Sequence, residues 1–183
     1  PDKTKWMKVL TDAINSCLTE ENSPDPKKMT RYGTYEFPDK DRGRYQGWWK
    51  FGKIHGQGVY DFHGNRFTGQ FEYNQKSGVG TMELCSGEVY QGDWKEDFPH
   101  GQGTMQYPNN DRYEGEWAEG IRSGKGTHFY ANGDKYVGDW ANNVPHGEGH
   151  YTTTEGHIYK GGWKNSVVRF LPSWLTGTYL HVL

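Results

Sequence analysis

The sequence predicts an all-β fold: an elongated, single-layer, twisted antiparallel sheet made of successive hairpins, preceded by one N-terminal amphipathic α-helix. Three observations predict it. The apolar content is aromatic rather than aliphatic, with 8 Trp, 13 Tyr and 8 Phe beside 26 Gly while only 32% of the 183 residues are hydrophobic. These aromatics recur at a nearly constant period. Within each period they stand two apart, the spacing that puts side chains on one face of a strand.

The first element is the helix, over residues 1–22. In "PDKTKWMKVLTDAINSCLTEENSPDP" the residues Trp6, Leu10, Ile14 and Leu18 lie four apart with Met7 and Cys17 beside them, which is helical amphipathicity. Asp2 or Thr4 caps its start, and Pro24 and Pro26 end it. Residues 23–44 follow as a linker and half repeat, because "YGTYEFPDKDRGR", residues 32–44, reads as the second half of a degenerate unit.

The repeats occupy residues 45–165. An aromatic followed by glycine two places later starts units at Tyr45, Phe67, Tyr90, Tyr113, Tyr136 and Tyr159, separated by 22 residues once and by 23 four times. Four places after each of the first five starts stands a second aromatic: Trp49, Phe71, Trp94, Trp117 and Trp140. Farther on comes a Gly-x-Gly pair: Gly56/Gly58, Gly78/Gly80, Gly101/Gly103, Gly124/Gly126 and Gly147/Gly149. Tyr113, Gly115 and Trp117 share one face, and Glu114 and Glu116 point to the other. In the return strand Gly124, Gly126, His128 and Tyr130 share a face, and residues 118–123 form the connection that reverses the chain. Both glycines of each pair are expected on the aromatic face, leaving a groove in which Tyr and Trp rings lie against bare backbone. The sixth unit, "YKGGWKN", lacks its Gly-x-Gly pair. The segment 166–183 after it carries Val167, Val168, Phe170, Leu171, Trp174 and Leu175, which fold back as a cap or join another chain.

This pattern resembles the MORN-repeat family, whose units read roughly YxGxWxxGxxxGxGxxxxxxG; "YEGEWAEGIRSGKGTHFYANGD" is nearly a consensus copy. The helix with Trp6 near its start also resembles the closing helix of a pleckstrin-homology domain. The order of helix, proline-containing linker, "YGTYEFPD" and repeats resembles the alsin family, in which a Rho-exchange-type tandem precedes the array and a Rab-directed exchange domain follows. That resemblance implies a piece of a small-GTPase guanine nucleotide exchange regulator, with a small GTPase or a second copy as partner. A cytoplasmic location with recruitment to endosomal or plasma membrane goes with it. For some MORN proteins the resemblance also implies tethering to phosphoinositide surfaces.

Charge and candidate chemistry narrow this further. Formal charge is −2 and pI about 6.5, which argues against a nucleic-acid partner or a general anionic-lipid surface. The basic residues Lys27, Lys28, Arg31, Arg42 and Arg44 cluster near the linker, so any lipid contact would have to be local there. Two cysteines, Cys17 and Cys85, make no disulfide framework, and no run of 18 apolar residues is present. His55, His100 and His146 each precede a Gly-x-Gly pair, but members about two repeats, ~20 Å, apart cannot share a metal ion. Glu114 and Glu116 recur elsewhere as Gln91/Asp93 and Val137/Asp139, so they read as solvated strand positions rather than an acid/base pair. The glycine pairs lie inside strands and make no phosphate loop. No cofactor, metal or catalytic set is expected. Phe98, Ile121 and Val144 stand at one repeat column, expected on the hairpin connection, and form a candidate interface with Phe170 and Trp174; the alternative is that each curls over its own Trp.

Overall fold

In the computed structural model, which describes residues 30–38, 43–169 and 179–181, the chain forms a single antiparallel sheet of fourteen strands in sequence order. They are β1 (Thr30–Glu36), β2 (Arg44–Lys50), β3 (Lys53–Phe62), β4 (Asn65–Glu72), β5 (Gln75–Glu83), β6 (Val89–Lys95) and β7 (Phe98–Gln106). Then follow β8 (Arg112–Ala118), β9 (Ile121–Phe129), β10 (Lys135–Ala141), β11 (Val144–Thr152), β12 (Ile158–Lys164), β13 (Val167–Arg169) and β14 (Tyr179–His181). The expected helix over 1–22, with Phe170 and Trp174 in the tail, lies outside the described residues.

One face of the sheet is the core. Tyr45, Phe67, Tyr90, Tyr113 and Tyr136 are 0–1% exposed, and the second aromatics Trp49, Phe71, Trp94, Trp117 and Trp140 are 4–7% exposed. Each first ring meets the second ring of its own unit and that of the next. Tyr113, for example, lies edge-on to Trp117 at 5.3 Å and to Trp140 at 5.0 Å. The zipper runs unbroken from Tyr45 to Trp163. Such pairs add about 0.5–1.5 kcal/mol each beyond the area they bury. Polar ends in the middle units are satisfied by a repeated scheme, whereas Trp163 Nε1 is buried without a hydrogen bond. The Tyr113 hydroxyl donates to the Glu116 carbonyl at 3.0 Å, and Trp117 Nε1 donates to the carbonyl of Gly103 in the preceding unit at 3.2 Å. Trp94 and Trp140 do the same to Gly80 and Gly126.

The connection between β8 and β9 is two residues, Glu119 and Gly120, rather than residues 118–123. Both have positive φ, 51° and 79°, the type I′ geometry whose twist matches the flanking strands. A two-residue turn alone would pair Gly115 with Gly124. A bulge shifts the register so that Gly115 faces Gly126, and Trp117 faces Arg122. The same shift occurs in the other four hairpins of this kind.

That bulge revises the roles of the paired glycines. Only the second lies beneath the ring: a Cβ on Gly126 would sit 2.6 Å from Tyr113 Cζ. The first is the bulge residue. Gly124 has φ 67°, and a Cβ there would run into the Glu116 side chain, 3.2 Å from its Cβ. Glu116 is accordingly not a merely solvated position: its Oε1 accepts the Lys125 N–H of the bulge at 3.1 Å. Asp93 and Asp139 do likewise for Gln102 and Glu148.

Successive tips are stapled together. Asn74 Oδ1 accepts from Ile54 N–H at 2.8 Å, Asp97 Oδ1 from Lys76 N–H at 2.8 Å, and Asn143 Oδ1 from Arg122 N–H at 2.9 Å. At the same column Pro99 and Pro145 offer no N–H, and the residues opposite them are Gly120 and Ser166, which make only the backbone bond back to the proline carbonyl. An Asn or Asp acceptor stands at each of the three tips whose neighbour has an N–H to donate.

Candidate interaction surface

The second face of the sheet is built by the glycines. Twelve of them pair in one continuous row across β1–β12: Gly33, Gly47, Gly58, Gly69, Gly80, Gly92, Gly103, Gly115, Gly126, Gly138, Gly149 and Gly161. From Gly47 to Gly149 their Cβ positions are taken by the aromatic rings on the core side, so these ten must lack a side chain, whereas at Gly33 the Cβ position is open. On the opposite side the row is a floor of bare backbone between two lines of outward side chains.

Strand alternation supplies those walls. Glu114, Thr127, Val137, His150 and Lys160 are cross-strand neighbours along one side. Glu116, Lys125, Asp139 and Glu148 stand along the other, with Lys125 and Asp139 ion-paired. Over β8–β12 the floor and walls enclose an open depression of about 610 Å³. Its charges are mixed. Its lining offers the Thr127 hydroxyl, the Val137 side chain and a few charges beside a floor of bare backbone. Among the described residues no three His, Cys, Asp or Glu side chains gather as a metal site, and His55, whose ring lies tilted against Tyr73 at 5.2 Å, keeps its Nδ1 buried without a hydrogen bond.

Phe98, Ile121 and Val144 are the first residues of β7, β9 and β11, not loop residues. They pair with Lys95, Ala118 and Ala141, which face away from the Trp rings. The three therefore do not curl over their own Trp. Phe98 is 54% exposed and Ile121 38%, and with Ala118 and Ala141 they make an apolar shoulder along the tip side of the trough.

The core face carries a polar cluster around His128. His128 fills a column occupied elsewhere by Tyr60, Met82, Met105 and Tyr151. It is 6% exposed, with Nε2 3.3 Å from Asp111 Oδ2 and Nδ1 3.4 Å from an Arg122 guanidinium nitrogen. Burial pushes the imidazole below its ordinary pKa, and the Arg122 charge pushes the same way against the pull of Asp111. The contact with Asp111 is thus a hydrogen bond from a neutral imidazole rather than an ion pair. Burial alone would raise the Asp111 pKa, but the Ala131 N–H and His128 outweigh it and hold the carboxyl low. Arg122 lies over Trp140 at 4.6 Å and Tyr113 at 5.4 Å, which lets a cation sit on the core face. The hydroxyls of Tyr45, Tyr90, Tyr113 and Tyr136 are driven to higher pKa by burial, so the ring ladder stays neutral. Nothing in the period announced the His128 cluster, since it differs from its column mates by a single residue.

Comparison with known proteins places this geometry. Over 115 aligned residues, 52% of this chain, it is 25% identical to alsin of Homo sapiens, and 24% identical to alsin of Mus musculus. It is 32% identical over 96 residues to protein TIC 100 of Arabidopsis thaliana. The matched region spans only about 7% of alsin and 10% of TIC 100. Among solved structures, the TCP domain of SAS-4 of Drosophila melanogaster, in complex with a proline-rich motif of Ana2, matches over 89% of this chain and 96% of that one at 12% identity. Its TM-score is 0.36, too low to carry an argument. The MORN-repeat family model matches residues 27–42, 45–64, 67–89, 90–112, 113–135 and 136–158, most of the chain. With that match on a sheet of repeated glycine-backed hairpins, the chain belongs to the MORN-repeat family.

Proposed function

We propose that this MORN array, a non-catalytic repeat module, serves as the protein-binding scaffold of a small-GTPase guanine nucleotide exchange regulator. It acts in the cytoplasm, with recruitment to endosomal or plasma membrane. The trough receives an extended segment of a small GTPase or of the regulator itself. The observation that carries the reading is the twelve-glycine row, which leaves a backbone floor open to close approach along the whole array. Similarity to alsin supports the GTPase context. The test is an NMR titration of the chain with GDP-loaded Rab-type and Rho-type GTPases. Shifts should concentrate at Thr127, Val137 and His150, and Val137→Glu should weaken binding about tenfold or more, ~1.4 kcal/mol. Shifts confined to the core face, or no binding to either GTPase, reject the reading.

A second reading, contact with a phosphoinositide membrane surface, is favoured by one feature. Phe51 and Tyr73 are each 46% exposed at neighbouring tips, with Lys50 5.8 Å over Phe51 and Lys53 5.6 Å over Tyr73. Sedimentation with phosphoinositide vesicles separates the readings: Lys50→Glu with Lys53→Glu abolishes vesicle binding if this patch is used, and leaves GTPase binding intact.

A further inference from the structure

The two ends of the sheet are closed differently. At the C-terminal end the described parts of β13 and β14 are three residues each. At the N-terminal end β1 keeps seven residues, pairs with β2 without a register shift, and contains neither proline nor lysine. β1 is the second half of a repeat, and residues 19–28, which would supply the first half, lie outside the described residues. Among the described residues β1 therefore has a neighbouring strand on one side only.

We propose that β1 is a self-association edge, on which β1 of a second copy pairs antiparallel about a two-fold axis through Gly33. Gly33 is the central residue of the strand and the first member of the glycine row. The axis sets Gly33 against Gly33, Tyr32 against Thr34, Arg31 against Tyr35 and Thr30 against Glu36. No like charges oppose one another, and the faces match, so trough joins trough and ring face joins ring face. Such an interface is isologous and closes at two copies. Tyr32, 55% exposed and edge-on to Trp48 at 5.6 Å, gains a cover from Thr34 of the second copy. This inference goes beyond the trough reading and stands or falls without it.

The experiment uses the 183-residue chain with Cys17 and Cys85 replaced by serine. Gly33→Cys is tolerable in the monomer, because a Cβ there meets nothing nearer than Arg31 Nε at 3.6 Å. Directly opposed strand residues lie within disulfide range, so mild oxidation should give a covalent dimer. Glu36→Cys, which faces Thr30 rather than itself, should not cross-link. In light scattering of the chain without added cysteine, Tyr32→Lys with Thr34→Lys should raise the dimer dissociation constant about tenfold or more, because it opposes like charges. Tyr32→Glu with Thr34→Lys should restore it, because the same positions then carry opposite charges. A monomer at every accessible concentration overturns the proposal. So does a dimer indifferent to the double-lysine change, or cross-linking at position 36 equal to that at 33.

Discussion

The two faces of this sheet are made by the same strands yet obey different rules. On the ring face every column is determined by contact: first aromatics at 0–1% exposure, second aromatics locked edge-on between two neighbours, and carbonyls claimed by Tyr hydroxyls and Trp nitrogens. On the trough face the same strands present Gln, Thr, Val, Glu, Lys and His at equivalent positions, constrained chiefly where Asp93, Glu116 and Asp139 accept the bulge N–H groups. A sheet one layer thick can do this because glycine lets the rings lie flat on the backbone, so that one face holds the structure together and the other stays available. Stability should therefore be concentrated on one side and binding on the other.

The hardest test of that asymmetry is a methyl group beneath a ring. Gly126→Ala forces a Cβ within 2.6 Å of the Tyr113 ring, and Tyr113→Ala empties the same site. Each should cost about 3–5 kcal/mol, read as a drop in the urea midpoint at constant slope. Gly33→Ala, in open space at the head of the same row, should cost less than about 1 kcal/mol. Equal losses at Gly33 and Gly126 would show that the row is kept for strand geometry and not for ring nesting.

The tips come next. Asn143→Ala removes the acceptor for the Arg122 N–H and should cost about 1 kcal/mol, whereas Gly120→Asn should give no comparable gain, since Pro99 has no N–H to donate. Restoring the donor with Pro99→Lys should make Gly120→Asn stabilising, a coupling that a double-mutant cycle measures directly.

Acidification probes the His128 cluster on the ring face. His128 is neutral in the fold with a lowered pKa, while the unfolded chain takes up its proton near pH 6.5. The unfolded state then binds more protons, so stability is fully present above about pH 6.5 and declines as pH falls from there toward the folded pKa. His128→Met, the residue at this column in two other units, should flatten urea midpoints between pH 8 and 5.5. Asp111 and Asp134, both held low, contribute stability that is lost only at more acid pH, around and below 3.8, so the two windows separate. The smallest effect belongs to the trough: Val137→Glu should change stability by no more than about 0.5 kcal/mol in either direction.

The period of Tyr113, Trp117 and Gly126 was legible because strand alternation is a local rule: residues two apart share a face whatever surrounds them. From that alone follow hairpins, an aromatic face and a single sheet. The order and type of the strands needed nothing further, since each hairpin's neighbours are its own flanking units. Placing both glycines of a pair under the ring failed because alternation was carried through residue 124, where the left-handed backbone interrupts it. Whether a Gly-x-Gly pair begins with a strand residue or a bulge is written in no single unit; it depends on which glycine the partner strand meets. The same dependence hid the work of Glu116, which looks like a solvated acid until the bulge turns an N–H toward it.

Sequence by itself determined the repeating unit, the aromatic ladder and the absence of an aliphatic core, because spacing within a strand is a property of the covalent chain. Tertiary structure alone decided the register that aligns twelve glycines into a floor, the staples that join tip to tip, and the setting that keeps His128 neutral. Those depend on residues about twenty positions apart coming within hydrogen-bond distance, and only the packed array brings them there.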